Sequence, residues 1–163
     1  MKKVLIRSLG TLLLLSCTFS VAAHELKVVD PWVRAAPPNA PALGVFMALE
    51  NHSAEDRSVI AARTMLEVER VELHRTMKVG EVMKMVPQES IPVPAHMTTL
   101  LKPGSWHVML ISPAKVPAMG DKVQLTLVLD DGSEQTVEAV VRKGKSMMHN
   151  HEHKHENHEM KQE

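Results

Sequence analysis

The sequence predicts an all-β protein, one antiparallel sandwich, on three observations. From residue 25 to about 142 the chain breaks into short runs of β-favouring residues separated by turn residues. No stretch keeps a helical apolar period for three turns. Val123, Leu125, Leu127 and Leu129 alternate with Gln124 and Thr126, the pattern of a strand with one buried and one wetter face.

Taken in order, the runs predict strands at 26–34, 43–51, 57–62, 66–76, 81–86, 97–101, 106–112, 122–129 and 134–141. Pro37-Pro38-Asn39-Ala40-Pro41 reads as an extended loop, and Pro92, Pro94 and Pro103-Gly104 punctuate the middle of the domain. Asp130-Asp131-Gly132 has the composition of a hairpin turn between the last two strands. Many short strands at regular spacing favour a sandwich.

The ends differ from this domain. Lys2, Lys3 and Arg7, the apolar run 12–15 and the small residues Val21-Ala22-Ala23 read as a signal peptide, 1–23. Its apolar run is too short for a permanent membrane span. The protein is therefore expected to be periplasmic. Leu14-Leu15-Ser16-Cys17 loosely resembles a lipoprotein cleavage site, so lipid anchoring at Cys17 is the alternative. After cleavage at Ala23 no cysteine is left, which excludes disulfides and thiolate metal sites.

Removal of the leader takes away three basic residues and leaves 16 basic against 19 acidic. A slightly acidic chain argues against nucleic acid. What remains, about 140 residues, suits one domain with one core at 24–143. Residues 144–163 are nearly all His, Glu, Lys, Asn and Met; such a tail buries too little apolar surface to order itself and is expected to be disordered without metal.

Composition carries the chemical clue. Tyrosine is absent and aromatics are few, yet beyond the leader the chain keeps eleven methionines and all ten histidines. Within the predicted sandwich His74, Met85, His107 and Met109 lie on strands or their edges. His107 and Met109 leave the same face of their strand, about 7 Å apart, while Val108 and Leu110 point into the core. Thioether sulfur is a soft, neutral donor that favours copper(I) over calcium, magnesium or zinc. Two imidazoles and two thioethers leave one positive charge on a copper(I) complex, and protons compete with the metal for the imidazoles.

His74, ten residues, Met85, twenty-one residues, then His107-Val108-Met109 resembles, without a gap, the motif of the periplasmic copper chaperones called PCu(A)C. Pro31-Trp32-Val33-Arg34-Ala35, Val71-Glu72-Leu73-His74, Val82-Met83-Lys84-Met85 and Leu101-Lys102-Pro103-Gly104 support it. The likeness covers about residues 28 to 141. It implies a cupredoxin-like Greek-key β-sandwich that carries Cu(I) towards the CuA centre of cytochrome c oxidase, with the CuA subunit or a Sco-type protein as acceptor. The chain departs from the family where His96 replaces a usual glycine, and at Ser105-Trp106.

Other donors are auxiliary candidates. Met83 shares a strand face with Met85, Met77 lies three residues beyond His74, and His96 with Met97 either adds a donor pair or fills a loop. Met47, Met65 and Met119 read as core or loop fillers. Trp106 is sent to the face opposite His107, and the charged residues between 57 and 72 read as a solvated face. In the tail Met147, Met148, His149, His151, His153, His155, His158 and Met160 form a dense donor run, suited to Cu(II) and able to raise the local metal concentration beside the main site.

The resulting expectation is a copper chaperone and not an enzyme. A periplasmic copper buffer is the alternative within the same chemistry. A histidine-brace copper oxygenase would need His24 as the mature N-terminus and usually an axial tyrosine, which the chain lacks. No nucleophile elbow or His-Glu-x-x-His motif supports hydrolysis.

Overall fold

The computed structural model describes residues 26–144. The expectations for the leader, Cys17, His24 and the tail donors lie outside the described residues. Ten strands follow in order: β1 (Leu26–Arg34), β2 (Ala42–Asn51), β3 (Arg57–Thr64), β4 (Arg70–Val79), β5 (Val82–Pro87), β6 (Ile91–Val93), β7 (Thr98–Leu101), β8 (Trp106–Ile111), β9 (Lys122–Leu129) and β10 (Glu134–Arg142).

Their hydrogen-bonded order is β5-β4-β8-β7-β2-β1-β10-β9-β3-β6, one continuous ribbon. The ribbon folds over so that both halves face a single core. Leu43, Val45, Leu73, Val108 and Leu110 come from one half, and Val59, Ile91, Val93, Leu125 and Leu127 from the other; all ten are fully or almost fully buried. Burial of each large side chain contributes roughly 1.5–3 kcal/mol, so this core is the main source of stability. The expected sandwich is observed, with one difference in pairing: β1 runs parallel to β10 through Trp32↔Val140 and Arg34↔Arg142, which joins the first and last strands. A second, minimal parallel contact links β7 and β8 at Leu101↔Trp106.

Two strand boundaries depart from the sequence reading for local reasons. β4 starts at Arg70, because Leu66 N–H bonds the Thr64 hydroxyl in a turn, and it runs on to Val79 because the hairpin closes at Val79↔Val82. Gly80 turns that hairpin at φ +63°, a conformation glycine adopts without strain. β6 was not expected, since Pro92 and Pro94 suggest a loop. It is an edge strand paired only with β3, where proline's missing donor costs no ladder bond, and its Ile91 and Val93 are fully buried.

A bulge in β1 shapes the outer face. Pairing with β2 slips by one residue between Val29 and Trp32, with Asp30 at φ +50°. Before the bulge the even residue Leu26 points inward; after it the odd residue Val33 does. Trp32 and Arg34 are thereby turned outward, beside Phe46 of β2.

Candidate metal centre

The outer faces of β5, β4 and β8 collect the predicted donors. His74 stands opposite His107 across β4 and β8, and their ring centroids are 5.7 Å apart. The strands are held in this register by their inward neighbours, because Leu73↔Val108 and Val71↔Leu110 pair on the core side. Met109 faces Glu72, one step along from the histidine pair, and Met85 faces Thr76, one step the other way. The two thioethers thus flank the two imidazoles on a single sheet face, at diagonal spacings of roughly 7–8 Å between backbones.

Burial separates the donors. His74 and His107 are 8% and 3% exposed, whereas Met85 is 59% exposed. An open cavity of about 400 Å³ lies over the patch, lined by Met85, His107 and Met109 together with Met83, Phe46 and Arg34. His74 does not line it.

Hydrogen bonds fix both rings. His107 Nδ1 donates to the Ser105 carbonyl at 2.9 Å. His74 Nε2 lies 2.7 Å from Glu72 Oε2, and the other Glu72 oxygen accepts from Arg70 Nε at 2.6 Å. Among the described residues the buried side-chain polar atoms without a partner are His74 Nδ1, His107 Nε2 and Gln135 Oε1. Two of the three are the remaining nitrogens of the facing imidazoles. An unpartnered buried nitrogen is costly unless something binds it, so the pair fits a metal centre. Burial pushes the His107 pKa down, partly countered by the Ser105 carbonyl and reinforced by His74, so the ring stays neutral and able to ligate. The Arg70 guanidinium, followed by His74, holds the Glu72 carboxyl below the usual range.

The donor set is two imidazoles and two thioethers. Among the described residues no group of three or more His, Cys, Asp or Glu is placed to hold an ion, and the soft donors beside the two imidazoles are the thioethers of Met85 and Met109. Such a set suits a soft monovalent cation.

An aromatic layer shields one side. The Trp32 and Phe46 centroids are 4.7 Å apart, and Phe46 lies 6.1 Å from His107. The Phe46 ring rests over Gly44, where an added Cβ would stand 2.9 Å from Phe46 Cζ. Gly44 itself pairs with Met109, which ties this layer to the ligand patch. Arg34 and Arg142 cover the rings of Phe46 and Trp32 at 5.7 and 5.0 Å.

The auxiliary candidates separate in space. Met83 lines the cavity beside Met85. Met77 pairs with Lys84 and, three residues from His74, projects from the other face of β4. His96 and Met97 lie beyond the far end of β2, where their backbones bond Ser53 and Asn51, five residues and about 16 Å along the strand from Phe46. They are not brought to the histidine pair. Met47 is a core residue, while Met65 and Met119 are exposed in loops. Trp106 packs partly on the core, on the face opposite His107, with Arg75 over its ring at 4.8 Å.

Arg70 and Glu72 stand on a solvated face, as the sequence suggested, and alternation along β4 also puts them in line with His74 on the site side. The spacing Arg70-x-Glu72-x-His74 held that information, since residues two apart on a strand share a face. The Ser105 carbonyl and the shield over Gly44 left no comparable trace, because a backbone acceptor and a ring position depend on the folded chain.

Fold and side chains together define a class: an all-β sandwich with two imidazoles and two thioethers gathered on the outside of one sheet. The LpqE-like lipoprotein family matches residues 26–141, and the chain belongs to that family; solved structures similar to the chain include PCuAC domains. The copper-bound PCuAC domain from PmoF2 is 22% identical with a TM-score of 0.63, over 76% of this chain and 97% of that one. The Cu(I) form of DR1885 from Deinococcus radiodurans is 32% identical with a TM-score of 0.58, over 77% of this chain and 85% of that one. The neighbours share the cupredoxin-like sandwich. No curated protein matches the chain in sequence. Among the described residues no helix is long and apolar enough to cross a membrane.

Proposed function

We propose that this protein is a copper(I) carrier of the cell envelope, binding the ion through His74, Met85, His107 and Met109 and passing it to an acceptor. The observation that carries the reading is the pair of buried, unpartnered nitrogens on His74 and His107, flanked by two thioethers. The Cu(I) form of DR1885, a relative of this chain, supports the choice of metal. An exposed Met85 beside buried imidazoles suits a carrier: an acceptor can reach one thioether first and exchange ligands stepwise. A CuA subunit or Sco-type protein is the acceptor this reading expects. The donors are not arranged as a nucleophile and base, and the proposed role is not catalytic.

The tail from 145 onward is proposed to capture copper, including Cu(II), and feed the folded centre. Gly144 supports this, because an added Cβ there would meet Trp32 and Arg34 at 3.3 Å, and Arg34 lines the cavity. The described chain therefore ends at the edge of the site. Delivery and buffering share this chemistry, and a transfer assay to purified acceptors separates them.

Export is part of the proposal. Cleavage after Ala23 and a periplasmic product is one reading; the lipoprotein description of the family supports anchoring at Cys17 as the second. The mass of the mature protein decides between them.

The central test is Cu(I) competition against a chromophoric chelator, for the full chain, a chain ending at Lys143, and the Met85→Ala/Met109→Ala double variant. One tight Cu(I) is expected in the first two and none in the third. Tight binding retained by the double variant would remove the folded site from the proposal.

A further inference from the structure

We propose that Glu72 is a positioning residue that makes His74 bind the metal through Nδ1, while the Ser105 carbonyl makes His107 bind through Nε2. This inference rests on the copper reading above and adds to it which atom of each ring is the ligand and what selects it.

A carboxylate oxygen only accepts, so its 2.7 Å contact with His74 Nε2 requires the proton to sit on Nε2. A neutral imidazole has one N–H, which leaves the lone pair on Nδ1. That atom is buried and without a partner. The Ser105 carbonyl likewise only accepts, so the His107 proton sits on Nδ1 and the lone pair on Nε2, the second buried atom without a partner. The two rings are therefore held in opposite tautomers. Neither has to lose its existing hydrogen bond to ligate.

Glu72 is itself held. Its second oxygen accepts from Arg70 Nε at 2.6 Å, and Arg70, Glu72 and His74 occupy alternate positions of one strand face. This chain resembles the carboxylate–histidine–metal arrangements in which an outer hydrogen bond orients the ring and raises its basicity. The Ser105 carbonyl also accepts from Thr76 N–H at 3.1 Å, which fixes its direction across the same strand pair. Each imidazole thus has its own orienting group, one from a side chain and one from the backbone.

The experiment uses full-length protein labelled with 15N-histidine and long-range 1H–15N correlation at neutral pH, before and after adding Cu(I) under anaerobic conditions. In the apo protein His74 should show a protonated Nε2 and His107 a protonated Nδ1. Cu(I) should then shift His74 Nδ1 and His107 Nε2. Glu72→Ala should let the two His74 tautomers mix and weaken Cu(I) binding by about 10- to 100-fold, the usual cost of losing such a partner. Glu72→Gln keeps an acceptor and should preserve the Nε2–H tautomer and most of the affinity. Cu(I) bound through His74 Nε2, or a Glu72→Ala protein with unchanged tautomer and affinity, overturns this inference while leaving the copper reading intact. Cu(I) that shifts neither imidazole overturns both.

Discussion

His74 and His107 face each other across β4 and β8 with ring centroids 5.7 Å apart and planes tilted by 58°. Their opposition is a consequence of the core: a one-residue slip of β4 would turn His74 inward and Leu73 outward, and one of β8 would do the same to His107 and Val108. The same alternation that specifies the sandwich therefore brings together the side chains of the proposed metal centre. Its cost is two imidazoles in a nearly dry position with one nitrogen each unpartnered.

That cost predicts a trade of stability against function at His107. In His107→Leu the unpartnered nitrogen disappears, and the Ser105 carbonyl keeps its bond from Thr76 N–H. The apo variant should be more stable than the parent by about 1 kcal/mol, the lower end of the penalty for a buried unsatisfied group. It should also lose tight Cu(I) binding. Urea unfolding of the apo proteins measures the first effect, and a variant no more stable than the parent would contradict it.

The two methionines should respond differently. Met85 is 59% exposed on the β4–β5 hairpin, so Met85→Ala should change apo stability by no more than about 0.5 kcal/mol while weakening Cu(I) binding. Mild peroxide treatment of the apo protein should oxidise Met85 before the half-buried Met109, and Cu(I) should protect both. Peptide mass mapping reads the order; equal oxidation of Met85 with and without Cu(I) would argue against its being a ligand.

Gly44 has a steric role. A Cβ there would stand 2.9 and 3.1 Å from two ring carbons of Phe46, so Gly44→Val has to displace the ring that lies over it and beside Met109. The variant should fold, since Leu43 and Val45 still enter the core, but lose about 1–3 kcal/mol to overpacking and bind Cu(I) more weakly. Phe46→Leu in the same background should recover part of both losses. Failure of that second substitution to recover either would show that Phe46 is not the clash.

Much of this was legible in the sequence, because alternation is a property of residues two apart. Val123 to Leu129 announced a strand, and His107-Val108-Met109 announced a strand that divides its sides between ligand and core. Features created by pairing were hidden. The bulge at Asp30 that turns Trp32 and Arg34 outward is visible only against the register of β2. The short edge strand Ile91–Val93 carries a proline that argues against any strand until its single neighbour is known. Met77 looked close to His74 by count, yet an odd separation puts it through the sheet. Glu72 is the surface charge it was read as, and its bond to His74 went unseen because Arg70 and His74 flank it at two-residue spacing amid other charged residues.

The pH dependence of the apo protein should carry the mark of His107. Burial lowers its pKa in the fold below the ordinary value of about 6.5, so near that pH the unfolded chain binds more protons than the native one. Stability must then rise with pH across this window, and it is lost as the pH falls through the unfolded value towards the lower folded one. The depressed carboxyls of Glu72 and Asp131 act in the same direction but only in the more acidic range of carboxylates, which separates the two effects. Urea midpoints of apo protein at pH 7.5, 6.5 and 5.5 should decline, and those of His107→Leu should decline less, so that the variant's advantage widens on acidification. Parallel profiles for the two proteins would mean that His107 is not held neutral by the fold. With Cu(I) bound, the metal adds to the same bias against protonation, and its release should begin at a lower pH than the loss of apo stability.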